Sequence, residues 1–239
     1  MRRLMAAAFI VMMALIAATP AEAQDRPAGV NFGGGWTFPV SGLNDAFDIG
    51  WNAGIGGTFN ISPTVGFQAE YMYHRMGGPD RPILIASNPD LPATTSGIIE
   101  SNHQIHSGTF NLVYQTPRGG SAVGGYVLGG VGIYHRLVQL TTPSVGYTTI
   151  CDPYWYVCYP TLVSVDRIIG DRSSNDFGIN IGGGVTFGTD GQFYVEMRYH
   201  YVWGPKVETQ VNPLNGTDVC PNECSTNAQY FPLTLGFRW

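Results

Sequence analysis

From residue 29 onward, apolar and polar side chains change places at almost every step. The stretch 49–61 shows this most plainly. Ile49, Trp51, Ala53, Ile55, Gly57, Phe59 and Ile61 fall on one face, and Gly50, Asn52, Gly54, Gly56, Thr58 and Asn60 on the other. A period of two is the repeat of an extended strand whose two sides meet different surroundings. The same alternation predicts strands at 29–38 (Val30, Phe32, Trp36 and Phe38 against Asn31, Gly33, Gly35 and Thr37) and at 65–74 (Val65, Phe67, Ala69, Tyr71 and Tyr73 against Gln68, Glu70, Met72 and His74). At 107–115 it opposes Phe110, Leu112 and Tyr114 to Ser107, Thr109, Asn111 and Gln115. At 177–187 it opposes Phe177, Ile179, Ile181, Val185 and Phe187 to Asn180, Thr186 and glycines. Segment 193–203 sets Phe193, Val195, Met197, Tyr199, Tyr201 and Trp203 against Glu196, Arg198 and His200. Segment 229–239 sets Phe231, Leu233, Leu235, Phe237 and Trp239 against Tyr230, Thr234 and Arg238. Residues 123–138 read as one more strand, bringing the total to eight, but their glycines hide which face is which.

The connections alternate in length. Short turns lie at 62–64, 116–120 and 188–191, whereas long polar connections occupy about 75–106, 139–176 and 204–228, with a moderate link at 39–48. An up-and-down barrel whose two rims face different compartments has this rhythm. A solenoid would show a fixed repeat, and none is present.

Two architectures fit eight alternating strands: a soluble barrel or sandwich with the apolar face inside, and a membrane barrel with that face turned to lipid. Composition separates them. Charged residues make up only 12% of the chain, roughly half the usual share. The polar faces carry Gly, Asn, Thr and Ser in place of the Lys and Glu of a solvated surface. On the apolar faces Trp36, Phe38, Trp51, Tyr71, Tyr73, Tyr199, Tyr201, Trp203 and Trp239 gather towards strand ends. Aromatic rings prefer the membrane–water boundary, so Trp36, Trp51, Tyr71, Tyr73, Tyr199, Tyr201 and Trp203 are read as a girdle. The expected fold is all-β: an eight-stranded antiparallel up-and-down transmembrane β-barrel. In hydrocarbon every backbone polar group must be paired, and a closed sheet does this. No stretch of 18 or more apolar residues offers a spanning helix instead. With 12 basic against 17 acidic residues, and Lys206 the only lysine, a nucleic-acid partner is excluded.

Arg2 and Arg3, the apolar run Leu4 to Ala18 and the sequence Ala21-Glu22-Ala23 form the pattern of a secretory signal peptide over 1–23, cleaved after Ala23. Export suits the cysteines. Cys151, Cys158, Cys220 and Cys224 are even in number, which in an oxidising compartment suggests disulfides. Three pairings are possible, and the local one (151–158, 220–224) closes two short loops. The rival, a metal site at Cys220 and Cys224, lacks a nearby histidine.

Three segments carry a resemblance: Val195-Glu196-Met197-Arg198-Tyr199-His200, Tyr126-Val127-Leu128-Gly129-Gly130-Val131-Gly132 and the ending Leu233-Thr234-Leu235-Gly236-Phe237-Arg238-Trp239. From about residue 28 to the end, the chain resembles the small eight-stranded outer-membrane β-barrel proteins of the broad OmpA/OmpX-like group. The resemblance implies a place in the outer membrane of a Gram-negative cell, with its lipid and lipopolysaccharide around the barrel. It also implies assembly by the outer-membrane insertion machinery, which recognises a last strand ending in an aromatic. Phe237 and Trp239 match that ending. Family members often place glycine where this chain has Thr234, and a polar residue where it has Pro232.

Inside such a barrel the chemistry-bearing candidates are Glu70, His74, Glu196, Arg198 and His200. Buried charge is costly unless paired, so Arg198 is expected to pair with Glu70 or Glu196 across the lumen. Such a network could be a gate or proton path. It could equally be a structural plug, since eight strands leave room for side chains and hardly for a pore. Hydrolytic chemistry would need a base and a nucleophile. His103 or His106 and Ser101 or Ser107 are the candidates, but a three-residue offset puts the two histidines on opposite faces of a strand. No catalytic residue, cofactor or metal ligand is assigned. Asp152, Asp166, Asp171 and Asp176 lack the spacing of a calcium loop. Specific recognition is expected on the loops. Within 139–176, a Cys151–Cys158 bridge would hold Tyr154, Trp155 and Tyr156 at a tip ready for an extracellular partner. The expected role is therefore structural or surface-interactive, non-catalytic and monomeric. A narrow solute channel or lipid-binding barrel, a lipid-modifying enzyme and a soluble periplasmic barrel stand as alternatives.

Overall fold

The computed structural model describes residues 28–78, 81–84, 96–116, 122–151, 158–188, 192–207 and 224–239. The expected leader at 1–23 lies outside them. In chain order the strands are β1 (Ala28–Val40), β2 (Gly50–Asn60), β3 (Val65–Gly77), β4 (Arg81–Leu84), β5 (Ser96–Gln115), β6 (Val123–Cys151), β7 (Cys158–Phe187), β8 (Gln192–Val202), β9 (Lys206–Val207), β10 (Cys224–Ser225) and β11 (Ala228–Arg238). Eight of them form one sheet in the order β3-β2-β1-β11-β8-β7-β6-β5, and β3 pairs with β5 to close it. Every neighbouring pair is antiparallel. The seam between β1 and β11 is completed by Val30 and Trp239, which exchange two backbone hydrogen bonds. The result is a closed transmembrane β-barrel.

Alternation decides which way each side chain points, because a strand's pleat sends successive residues to opposite sides. Phe32, Trp51, Ile55, Phe59, Ile179 and Ile181 lie on the outer wall. Asn31, Thr37, Asn52, Gln68, Asn111, Asn180 and Thr234 are buried in the lumen. A soluble barrel would reverse this. In β6, Tyr126, Leu128, Tyr134 and Arg136 point inward, and Val127, Val131 and Ile133 outward. Apolar side chains thus stand on both faces from Tyr126 to Tyr134, with glycines between them, and this hides the alternation there.

The expected loop at 139–176 requires correction. Pairing between β6 and β7 continues from Val123↔Phe187 to Cys151↔Cys158, with one register shift between Leu140 and Thr141. β5 accompanies β6 only as far as Thr141, and β8 accompanies β7 only up to Gly178. Above those points the two strands form a ribbon with both edges open among the described residues. Alternation missed it for a physical reason. A ribbon standing above the barrel is wetted on both faces, so nothing requires one face to be apolar, while its Thr, Val and Ile residues still favour extended backbone. The ladder also enters the other two long connections: β4 pairs with β5, and β9 pairs with β10.

Turns follow ordinary chemistry. The Ser62 hydroxyl accepts backbone N–H groups from Thr64 and Val65 at 3.3 and 3.0 Å. Gly188 sits at φ 106°, which favours glycine.

Candidate functional site

The lumen is built from inward positions of strands brought together by closure, and it is ordered in layers. In the middle layer, β8 supplies Glu196 and Arg198 two residues apart on one face, and β3 supplies Gln68 and Glu70 in the same way. Arg198 takes both carboxylates: its Nε donates to Glu196 Oε1 at 2.5 Å, and its Nη1 makes an ion pair with Glu70 Oε2. The remaining carboxylate oxygens are also bound. Tyr126 OH donates to Glu196 Oε2 at 2.6 Å, and Asn31 Nδ2 to Glu70 Oε1 at 3.0 Å. Gln68 Nε2 reaches Asn31 Oδ1 at 3.4 Å, and Asn180 Nδ2 donates to Asn111 Oδ1 at 2.8 Å. A buried ion network holds together only when its charges are paired; in the same layer the buried amide oxygens Gln68 Oε1 and Asn180 Oδ1 have no hydrogen-bond partner.

Room for the larger members comes from glycine. A Cβ added to Gly182 would lie 2.7 Å from Cα and Cγ of Arg198. At Gly184 it would lie 2.7 Å from the Tyr126 hydroxyl, and at Gly178 2.6 Å from the Tyr134 ring.

Towards the end that carries the long connections lie His74 and His200. Thr37 Oγ1 bonds His74 Nδ1 at 3.0 Å, and Tyr134 OH bonds His200 Nδ1 at 2.9 Å. The rings of His200 and Tyr230 stack with centroids 4.8 Å apart. Above them an apolar cluster of Leu43, Met76, Ile105, Val202 and Ala228, joined by Tyr134 and Tyr230 and flanked by Phe47, caps the lumen. Leu43 reaches it because the 3-10 turn Ser41–Leu43 between β1 and β2 leans over the rim. At the opposite end the Arg238 guanidinium lies 4.9 Å from the Tyr126 ring centroid and 5.6 Å from that of Tyr194, a cation–π arrangement. A second ion pair, Arg136 Nε to Asp176 Oδ2 at 2.6 Å, stands near the rim with Ser174 and the Thr226 carbonyl.

All five residues expected in the interior network are buried there. They divide into an ion cluster (Glu70, Glu196, Arg198) and a histidine–hydroxyl layer (His74, His200). Asn31, Tyr126 and the Arg136–Asp176 pair escaped notice. Tyr126 and Arg136 could have been found by noting that Val127, Val131 and Ile133 share the opposite parity. His103 points inward and His106 outward. Ser107 Oγ donates to the Met72 carbonyl at 3.2 Å, so it is engaged away from either histidine. Among the described residues, no group of three or more His, Cys, Asp or Glu is placed to hold a metal ion.

Outside, Trp36, Trp51, Tyr71 and Trp203 are exposed on the wall, with Tyr73, Tyr199 and Tyr201 half-buried beside them. Trp51 packs on Tyr73 at 5.2 Å, and Phe177 stacks on Trp203 at 5.7 Å. Near the other rim, Phe237 and Trp239 meet Phe32 at 6.0 and 5.2 Å. A disulfide joins Cys151 to Cys158 at the end of the ribbon. Asp152, Tyr154, Trp155, Tyr156 and Cys220 lie outside the described residues.

Comparison with known proteins agrees with this architecture. The chain belongs to the outer membrane protein β-barrel domain family, whose model matches residues 7–238. Its place is accordingly the outer membrane. Among solved structures it is similar to Neisserial surface protein A (14% identity, 89% of this chain and 96% of that one, TM-score 0.45). It is also similar to Ail of Yersinia pestis, solved with the heparin analogue sucrose octasulfate (12%, 89% and 97%, 0.42). A third is the outer membrane protease OmpT of Escherichia coli (10%, 81% and 64%, 0.40). A comparison with curated proteins finds no match.

Proposed function

We propose that this protein is a non-catalytic surface-interaction barrel, in which a filled eight-stranded wall anchors a ribbon that meets an extracellular partner. The observation that carries the reading is the continuation of β6 and β7 beyond their barrel neighbours, ending in the Cys151–Cys158 bridge. An open strand edge presents unpaired N–H and C=O groups to an extended chain, and a pre-ordered ribbon loses little entropy on binding. The lumen supports the same reading. The Arg198 cluster and the apolar cap fill it as a plug would, and the hydroxyl and imidazole candidates for hydrolysis are not assembled. The barrel is proposed to act as a monomer, assembled through its aromatic ending and surrounded by lipopolysaccharide.

The test displays wild-type protein and a variant with 144–165 replaced by a short turn on cells. Unboiled electrophoresis verifies folding of each, and attachment is then measured to an array of extracellular polypeptides and glycans. Attachment is expected to require the ribbon and to fall in Trp155→Ala. Equal attachment by all three would refute the reading. Bilayer conductance of wild type and Arg198→Ala separates plug from gate: no current in either supports the plug, and a current gained in the variant supports the gate. Unchanged lipid A composition with and without the gene is the expected result for a protein that does not modify lipid.

A further inference from the structure

The outer wall carries a feature that neither the lumen nor the ribbon explains. One rung of the sheet runs Tyr73↔His106↔His135↔Asn175 across β3, β5, β6 and β7. Just below it the outward side chains are Tyr71, Ile133 and Phe177, all exposed. Just above it stand Arg75 and Gln104, partners in the next outward rung, and Gln104 donates to Gln139 at 3.3 Å. The two histidines therefore sit where the apolar belt gives way to polar groups. They are direct cross-strand neighbours, with ring centroids 6.1 Å apart. Directly opposed residues on antiparallel strands hold their Cβ atoms about 4.5–5.5 Å apart, close enough for two imidazoles to share one ion at about 2.0–2.1 Å from each nitrogen.

We propose that His106 and His135 form a bidentate site for a divalent transition-metal ion such as Zn²⁺, with water completing its coordination. The hydrogen bond behind His135 favours a cation over an anion. His135 Nδ1 lies 2.8 Å from Asn175 Oδ1, and an amide oxygen only accepts, so Nδ1 carries the proton and Nε2 presents its lone pair. His106 Nδ1 lies 2.7 Å from the Tyr71 hydroxyl, which can donate or accept; metal binding selects the tautomer in which Nδ1 donates to the phenol oxygen and Nε2 is free. An imidazole whose inner N–H is held by an oxygen is the usual form of a metal-binding histidine. The lipid phosphates of the outer leaflet are the rival ligand, with Arg75 close by, but a phosphate needs donors and the Nε2 lone pair offers none. The other three histidines, His74, His103 and His200, are buried in the lumen, so a ligand arriving from outside meets only this pair.

The experiment uses tag-free full-length protein folded in detergent micelles, titrated with Zn²⁺ by calorimetry while the histidine ring resonances are followed by NMR. One ion per barrel is expected, shifting the His106 and His135 resonances. His106→Ala and His135→Ala should each weaken binding roughly tenfold or more. Asn175→Ala should weaken it by roughly tenfold, the effect of losing an outer-shell partner, while Asn175→Asp, which keeps an acceptor, should preserve it. All of these side chains face away from the lumen, and unboiled electrophoresis checks the fold of each variant. Should an alanine variant fail to fold, Asn175→Asp against Tyr71→Phe makes the same distinction. No Zn²⁺ heat overturns the proposal. So does binding that survives His106→Ala, or binding lost only in His200→Ala. A response of the two resonances to lipid A phosphate in place of Zn²⁺ also overturns it and assigns the pair to the membrane surface.

Discussion

Ile181 and Ile168 belong to the same strand, β7, and are about equally uncovered, at 65% and 52% of their surface. They nevertheless live in different solvents. Ile181 lies within the barrel wall, between neighbours β6 and β8, and faces acyl chains. Ile168 lies in the ribbon, opposite Thr141, with no second neighbour and water around it. Exposure alone therefore says little about a membrane barrel. What matters is which medium covers the residue, and that is set by how many strands flank the position and by the rungs on either side.

Substitutions at matched pairs can break or sharpen this contrast. The widest gap is expected on the lumenal side. Arg198→Ala leaves two carboxylates buried without their cation and should cost about 3–5 kcal/mol, whereas Arg167→Ala in the ribbon, opposite Thr142, should stay within about 0.5 kcal/mol of wild type. Denaturant titration of the protein in lipid vesicles measures both, and similar costs would erase the distinction. Next come the two isoleucines. Ile181→Arg should cost about 2–4 kcal/mol, as charge does near the bilayer midplane, while Ile168→Arg should be close to neutral. The smallest effect is expected at the tip. Cys151→Ser should leave the unfolding of the wall unchanged and hasten protease nicking near the end of the ribbon, a difference visible by mass spectrometry of limited digests.

Legibility in the sequence follows the same contrast. Where one face meets lipid and the other a cramped polar interior, as in 49–61 and 193–203, alternation reveals the strand and both of its faces. Where both faces are apolar, as at Tyr126 and Leu128, or both wetted, as above Thr141, it fails. Glu70, Glu196 and Arg198 could be placed inside from parity alone. That Arg198 would take both carboxylates could not, because their meeting depends on closure and register between strands far apart in the chain. The pairing of His106 with His135 is hidden for the same reason. Their separation along the chain says nothing, and only the β5–β6 register sets them side by side.

The accommodation of Arg198, Tyr126 and Tyr134 over Gly182, Gly184 and Gly178 has an evolutionary corollary. A lineage cannot enlarge one of those glycines while keeping the bulky residue opposite, nor shrink the bulky residue without opening a hollow. A Cβ at each of the three glycines would also meet a neighbouring strand's carbonyl, 2.4 Å away at Gly182, 2.5 Å at Gly184 and 2.7 Å at Gly178, so they should persist in descendants whatever side chain comes to stand opposite.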